Sequence, residues 1–259
     1  MDLAATLQGY AVSEIAAFAL AVARVAGVIL VAPFPGQSVP NRMKVGLVLI
    51  LAYLGRAAAP DPFSGGLDLR LLGLACAEVG IGLLIGFTVR VTFSASEVLG
   101  STFAQSTGLT MGQVYDPALG GEEPVIARIA TLSAMLLFLG AGAHRVLLGY
   151  ALESFRAVPL GHGVDLAAAA PILSTWVGQA LEAGVRLSLP VTAVALSVQV
   201  ALALVARASP SLQVFNVGMG VTVAAGLLAI LGSAGDVTSG IGTENARVGP
   251  RIEEILAPR

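Results

Sequence analysis

"LSLPVTAVALSVQVALALVA", residues 187–206, runs for twenty residues without a charge. An α-helix crosses the ~30 Å hydrocarbon core of a bilayer with roughly 20 apolar residues, each rising about 1.5 Å. Residues 208–235 form a second charge-free stretch, and Pro190 is expected to break into the first. The rest of the chain agrees with them. Of 259 residues, 56% are hydrophobic and 12% charged, with mean hydropathy +0.87. Soluble domains carry about 25% charged residues, so this sequence cannot supply a soluble surface. It reads as an integral membrane protein, or a subunit buried in a membrane-associated assembly. The net charge of −2 gives no bias toward nucleic acid.

Working outward, apolar helix-length runs occur at about 11–33, 43–59, 70–93, 126–151, 172–206 and 211–233. Turn chemistry separates them: "PFPGQSVPN" (33–41), "PDPFSGG" (60–66), "PLGHGVD" (159–165) and "ASPS" (208–211). The expected architecture is all-α, about six hydrophobic regions, some long enough to be broken in two. The N-terminal stretch, with Asp2 and Glu14 ahead of Arg24, lacks the basic start of a cleaved signal peptide. The tail "TENARVGPRIEEILAPR" is polar, either a short interfacial or partner-docking helix or a frayed end. Basic residues divide among several connections and leave little asymmetry for the positive-inside rule.

The spans carry charges that lipid-facing helices avoid. Glu14 and Arg24 lie in the first, Glu78 and Arg90 in the third, and Glu182 and Arg186 in the fifth. An ionised group at mid-bilayer costs about 2.5–3.5 kcal/mol on the lenient insertion scale. These helices therefore face protein or water along part of their length. Glu182 and Arg186, four apart with the acid first, share a helix face in the favourable order. A structural ion pair is the ordinary reading; a proton or ion relay is the alternative, and nothing else titratable clusters with the pair. Gly82 and Gly86 form GxxxG, a spacing that lets helix backbones approach closely.

Catalytic and metal signatures are missing. One cysteine, Cys76, with His144 and His162 makes no familiar zinc site; no HExxH, P-loop or GxSxG elbow occurs. No cofactor is expected, and the sequence argues against an enzyme. His144 is placed at a helix end, beside the last carbonyls.

The remaining anomaly is "GLTMGQVYDPALGGEEPV", residues 108–125, a turn-rich acidic break in an apolar chain. On composition it is a solvent loop between helices, and Glu122 and Glu123 are loop acids.

Three ordered stretches resemble the FliR family of flagellar export-gate subunits. "RVAGVILVAPFPGQSVPNRMKVGLVLILAYL" (24–54) is similar to the family's first hairpin, where an Arg-containing helix ends at an APxFG-type turn and VPxR opens the next helix. Pro35 departs from the bulkier residue usual there. Within 100–161, Asp116-Pro117, Gly142 to His144, Ser154-Phe155, Pro159 and Gly161 fall where the pattern has a DP turn, a GxH and an SFxxxPxG exit. "RASPSLQVFNVGMGVTVAAGLLAIL" (207–231) resembles the entry to the last hairpin, with Ser211 and Gln213 in place of the frequent Gln and Asn. The virulence homologues, the SctT proteins, share the outline; the DPxxGG run resembles the flagellar branch more.

The resemblance implies one FliR-like domain over 1–259: a FliP-like part over about 1–170, a FliQ-like hairpin over about 171–235 and a polar tail over 236–259. It implies tilted helical hairpins packed in a hetero-oligomeric gate in the bacterial inner membrane, at the flagellar basal body. FliP-like, FliQ-like and FlhB-like subunits, membrane lipids and exported flagellar proteins would be the partners. The segment 106–124 would enter the pore as a plug, with Met111, Val114 and Tyr115 at the constriction. Asp116, Pro117, Gly120 and Gly121 would shape its turn. A virulence gate, or a small-solute or ion transporter using Glu78, Glu182 and Arg186, are the alternatives.

Overall fold

The computed structural model describes residues 3–33, 39–59, 68–108, 125–163, 166–208 and 214–256, and every regular element among them is an α-helix. In chain order these are α1 (Leu3–Val31), α2 (Asn41–Ala58), α3 (Leu69–Thr107), α4 (Val125–Gly140), α5 (Ala143–Ala157), α6 (Leu166–Ala208), α7 (Val214–Gly232), α8 (Ala234–Ala246) and α9 (Val248–Leu256). Tyr10–Val31, Leu69–Thr107 and Ala169–Ala208 are each long and apolar enough to cross a membrane. Two bent pairs, Ala127–Gly140 with Ala143–Ala157 at 69° and Gly218–Gly232 with Ala234–Leu256 at 62°, raise the number to five if each is one span. The first bend sits at Gly142, whose φ of 72° is open to a residue without Cβ.

The helices gather into two compact units. One holds Met1–Val91, Gly142–Thr175 and Ala246–Arg259. Its core forms because α1 repeats small and apolar residues along one stripe, Ala17, Leu20, Ala21 and Val25, at helical spacing. That stripe buries against Leu51 and Ala52 of α2, with Phe155 of α5 and Leu160 completing the cluster. The predicted glycine pair works here: a Cβ on Gly82 would stand 2.0 Å from the Arg24 carbonyl oxygen, and one on Gly86 2.6 Å from that of Val28. Helices α1 and α3 thus meet backbone to backbone, which only glycine permits.

The other unit holds Thr92–Ala141 and Trp176–Asn245. The second half of α3 is its centre. Phe93 meets Phe138 of α4 edge to face, with centroids 5.4 Å apart. Gly100 lies against Ala127 of α4, Gly184 of α6 against the Ala95 carbonyl, and Gly226 of α7 against Phe103 and Thr107.

Three sequence expectations need correction. The third apolar run does not stop near 93, because α3 continues to Thr107. Its hydropathy falls where Thr92, Ser96 and Thr107 enter, yet all three are buried in protein contacts rather than marking an end. Pro190 does not break α6, which is continuous from Leu166 to Ala208. Proline removes only the N–H bond to Arg186 O, and Ser188, Val191 and Ala195 around it are buried, so packing carries the helix through the lost bond. His144 opens α5 and does not close the helix before it.

Candidate functional site

Met111, Val114, Tyr115, Asp116, Pro117, Gly120 and Gly121, the residues expected to close a pore, lie outside the described residues. The structure gives their N-terminal approach. Helix α3 ends at Thr107, whose hydroxyl donates to Phe103 O (2.8 Å), and Gly108 follows with φ 78°. Beside this end is a cavity of about 510 Å³, walled by Thr107, Gly108, Gln199, Leu202, Gly218 and Met219 among others. Its polar groups are largely turned away. Thr222 donates to Gly218 O (2.9 Å), and the Gln199 amide donates to Ser106 O (2.8 Å). What remains is an apolar hollow.

Five of the six charges named within the spans fall into three different settings, and the sixth, Arg90 of α3, is exposed. Arg24 and Glu78 are each 1% exposed and joined Nε to Oε2 at 2.5 Å. Arg24 Nη1 also donates to Ser154 O (2.8 Å), Val158 O (2.9 Å) and Ser154 Oγ (3.5 Å). Its guanidinium lies 4.6 Å from the centroid of the Phe155 ring, a cation–π contact. Glu78 Oε1 accepts from the backbone N–H of Gly161 (2.8 Å). A cation at the C-terminal end of α5 also meets the negative end of that helix's dipole. One ion pair therefore ties α1, α3 and the chain leaving α5. It explains why "SFRAVPLG" reads as it does: Ser154 and Val158 present carbonyls, Phe155 a ring, and Gly161, at φ 84°, its N–H.

Glu14 of α1 pairs with Arg56 of α2 at 2.6 Å, part-buried. Glu182 and Arg186 pair at 3.1 Å on α6 with side chains 68% and 75% exposed. Such a pair stabilises a helix by about 0.3–0.5 kcal/mol and holds no buried path. The transporter reading needs Glu78 beside open space, whereas its carboxylate is filled by Arg24 and Gly161. Sequence reasoning listed Arg24 and Glu78 separately; nothing in their spacing joins positions 54 apart.

The tail takes the helical one of the two forms expected of it. Within α9, Val248, Ile252, Ile255 and Leu256 are buried, and Arg251 with them. The helix packs on α5, with Gly249 against the Tyr150 ring and the Tyr150 hydroxyl donating to Glu253. Among the described residues no group of three or more His, Cys, Asp or Glu side chains is placed to hold a metal.

On α6 Leu181, Val185, Leu189, Leu196, Val200 and Leu204 are all exposed, and the span Ala169–Ala208, of mean hydropathy 2.1, is little buried. Long apolar helices, internal ion pairs and bare apolar faces together define a helical membrane protein. The chain belongs to the bacterial export proteins, family 1, whose family model matches residues 15–245. It is similar to the flagellar biosynthetic protein FliR of Escherichia coli strain K12, 31% identical over 65% of each chain. It is likewise similar to the FliR of Caulobacter vibrioides, 27% identical over 67% of this chain and 70% of that one. The surface presentation of antigens protein SpaR of Salmonella typhimurium is 25% identical over 68% of this chain and 67% of its own. The match thus spans about 65% of the length of the first relative.

Proposed function

We propose that this chain is a non-enzymatic core subunit of the flagellar protein export gate in the bacterial inner membrane. The observation that carries the reading, beside family membership, is a mismatch of lengths. Helix α6 has 43 residues, about 65 Å at 1.5 Å per residue, against a hydrocarbon core of about 30 Å. Lipid alone would cover it only at a tilt of about 60°, beyond the usual 0–40°. The exposed apolar stripe on α6 therefore needs other helices, as in a hetero-oligomeric assembly. FliP-like, FliQ-like and FlhB-like subunits are the partners this reading assigns. Residues 1–170 take the FliP-like place, 171–235 the FliQ-like hairpin, and 236–259 the tail. Exported flagellar proteins are the cargo. The Escherichia coli FliR is 31% identical over 170 residues, whereas the virulence relative SsaT reaches 29% over only 96 and SpaR 25% over 182, which supports a flagellar over a virulence gate.

In this reading the segment after α3 closes the channel. Met111, Val114 and Tyr115 form the constriction, since a flexible Met and an uncharged aromatic fill an axis without fixed charge. Asp116-Pro117 and Gly120-Gly121 set the turn. Irregular backbone at membrane depth is tolerated where protein or a water-filled cavity surrounds it. The test is replacement of residues 110–116 by Gly/Ser in the assembled gate, with ion leakage measured across the membrane. Leakage is expected to rise; unchanged leakage through an intact gate refutes the closing role.

A further inference from the structure

The two ion pairs of the first unit differ in when their partners exist. Glu14 and Arg56 lie 42 residues apart and join α1 to α2, so the first hairpin contains both ends. Among the described residues Arg24 has no such local partner. Its acceptors are Glu78, Ser154 and Val158, at separations of 54, 130 and 134 residues, on α3 and at the end of α5. None of its hydrogen bonds goes to α2. Yet Arg24 lies 3.5 residues from the middle of the span Tyr10–Val31, about 5 Å at the helical rise. We propose that this deferred pairing is a completion lock: α1 settles in the bilayer only when α3 delivers Glu78 and the turn after α5 delivers its carbonyls.

The physics is a conditional penalty. At the helix centre an unpaired arginine biases insertion by roughly 70- to 370-fold against the membrane, the equivalent of about 2.5–3.5 kcal/mol at 1.36 kcal/mol per decade. Pairing offsets most of that bias, because the Glu78 carboxylate, two carbonyls and an aromatic face replace water around the guanidinium, with Nη2 alone of its nitrogens buried without a partner among the described residues. The glycines let this happen only at full contact. The Gly82 Cα lies close enough to α1 that an added methyl would meet the Arg24 carbonyl itself, so the arginine and its own backbone are both read by α3. A chain that has made α1 and α2 but not yet α3 holds a bare charge; a complete one does not. The inference depends on α1 lying in a membrane and is independent of cargo or gating.

The test uses the full-length chain in membrane vesicles, with Cys76→Ser removing the native thiol and Val22→Cys placing one on α1, where Val22 is half-buried against the core. The readout is the fraction modified by a membrane-impermeant maleimide. The parent is expected to be protected, and Glu78→Leu to raise modification at least tenfold. Arg24→Leu with Glu78→Leu is expected to return it to within about twofold of the parent, since no charge is then left unpaired. A role in packing alone predicts the opposite order, the double variant at least as exposed as the worse single one. A parent already modified, a protected Glu78→Leu chain, or a double variant as reactive as Glu78→Leu would each overturn the lock.

Discussion

Gly82→Ala adds one methyl where α3 crosses α1. Its Cβ would stand 2.0 Å from Arg24 O and 2.9 Å from Val28 N, both backbone atoms. Ordinary contact begins near 3.4 Å, so the helices must part by roughly 1.4 Å; a radial gap of about 0.5–1 Å already forfeits a quarter to a half of each contact's attraction. Overpacking of this kind costs about 1–3 kcal/mol, and loss of the Arg24–Glu78 geometry adds about 3–5 kcal/mol where the pair opens. Against this stands a gain of about 1 kcal/mol in helix propensity. With the pair opened, a net loss of about 3 kcal/mol is the lower expectation, which at about 2–4 °C per kcal/mol lowers Tm by roughly 6–12 °C. Gly46→Ala is the control: nothing lies within 4 Å of its Cβ, so the same change on α2 is expected to leave Tm unchanged or raise it slightly. The assay is a far-ultraviolet circular dichroism melt of the purified chain in detergent. A Gly82→Ala chain melting within 1 °C of its parent, on the order of half a kcal/mol, would refute the close crossing.

Two further outcomes are expected. Neutralising Glu182 and Arg186 together to Gln removes an exposed pair worth about 0.3–0.5 kcal/mol, so swimming motility of cells carrying the variant is expected to persist; abolished motility with normal protein levels would restore a relay role. Ile252→Asp puts a carboxylate at a fully buried position of α9, which costs several kcal/mol unless the helix lets go. Limited proteolysis is then expected to cut near the exposed Arg247, and resistance equal to the parent would show that α9 is not held by that face.

Helix content was legible because it rests on local quantities. Runs of Leu, Val and Ala bounded by proline and glycine mark α1, α2 and α6 wherever they occur. The end of α3 was not legible, since Thr92, Ser96 and Thr107 lower hydropathy whether they face water or protein, and only packing decides. Pro190 misled for a related reason: proline removes one backbone bond, and whether a helix ends there depends on how its neighbours pack. GxxxG at Gly82 and Gly86 signalled a close crossing but not its partner. That partner is α1, and the meeting of Arg24 with Glu78 follows from it. The misfit of buried charge with lipid was readable; which charges would be buried was not, and Glu182 and Arg186 remain on the outside. A helix in the tail was among the expected forms; that Val248, Ile252, Ile255 and Leu256 bury it against α5 of its own chain was not legible, because the surrounding charges made it look peripheral.

Thirteen of the fourteen basic residues here are arginine, a bias that invites a compositional explanation. At position 24 it has a chemical consequence. The flat guanidinium sends Nε to a carboxylate, Nη1 to two carbonyls, and its face to Phe155. A lysine carries the same charge on a single rotating point with three donors and no plane to stack. It could neutralise Glu78, but it could not also span the end of α5 and cover the ring. A drift from arginine to lysine at the exposed Arg186 would lose little, whereas here the same drift would separate charge from shape.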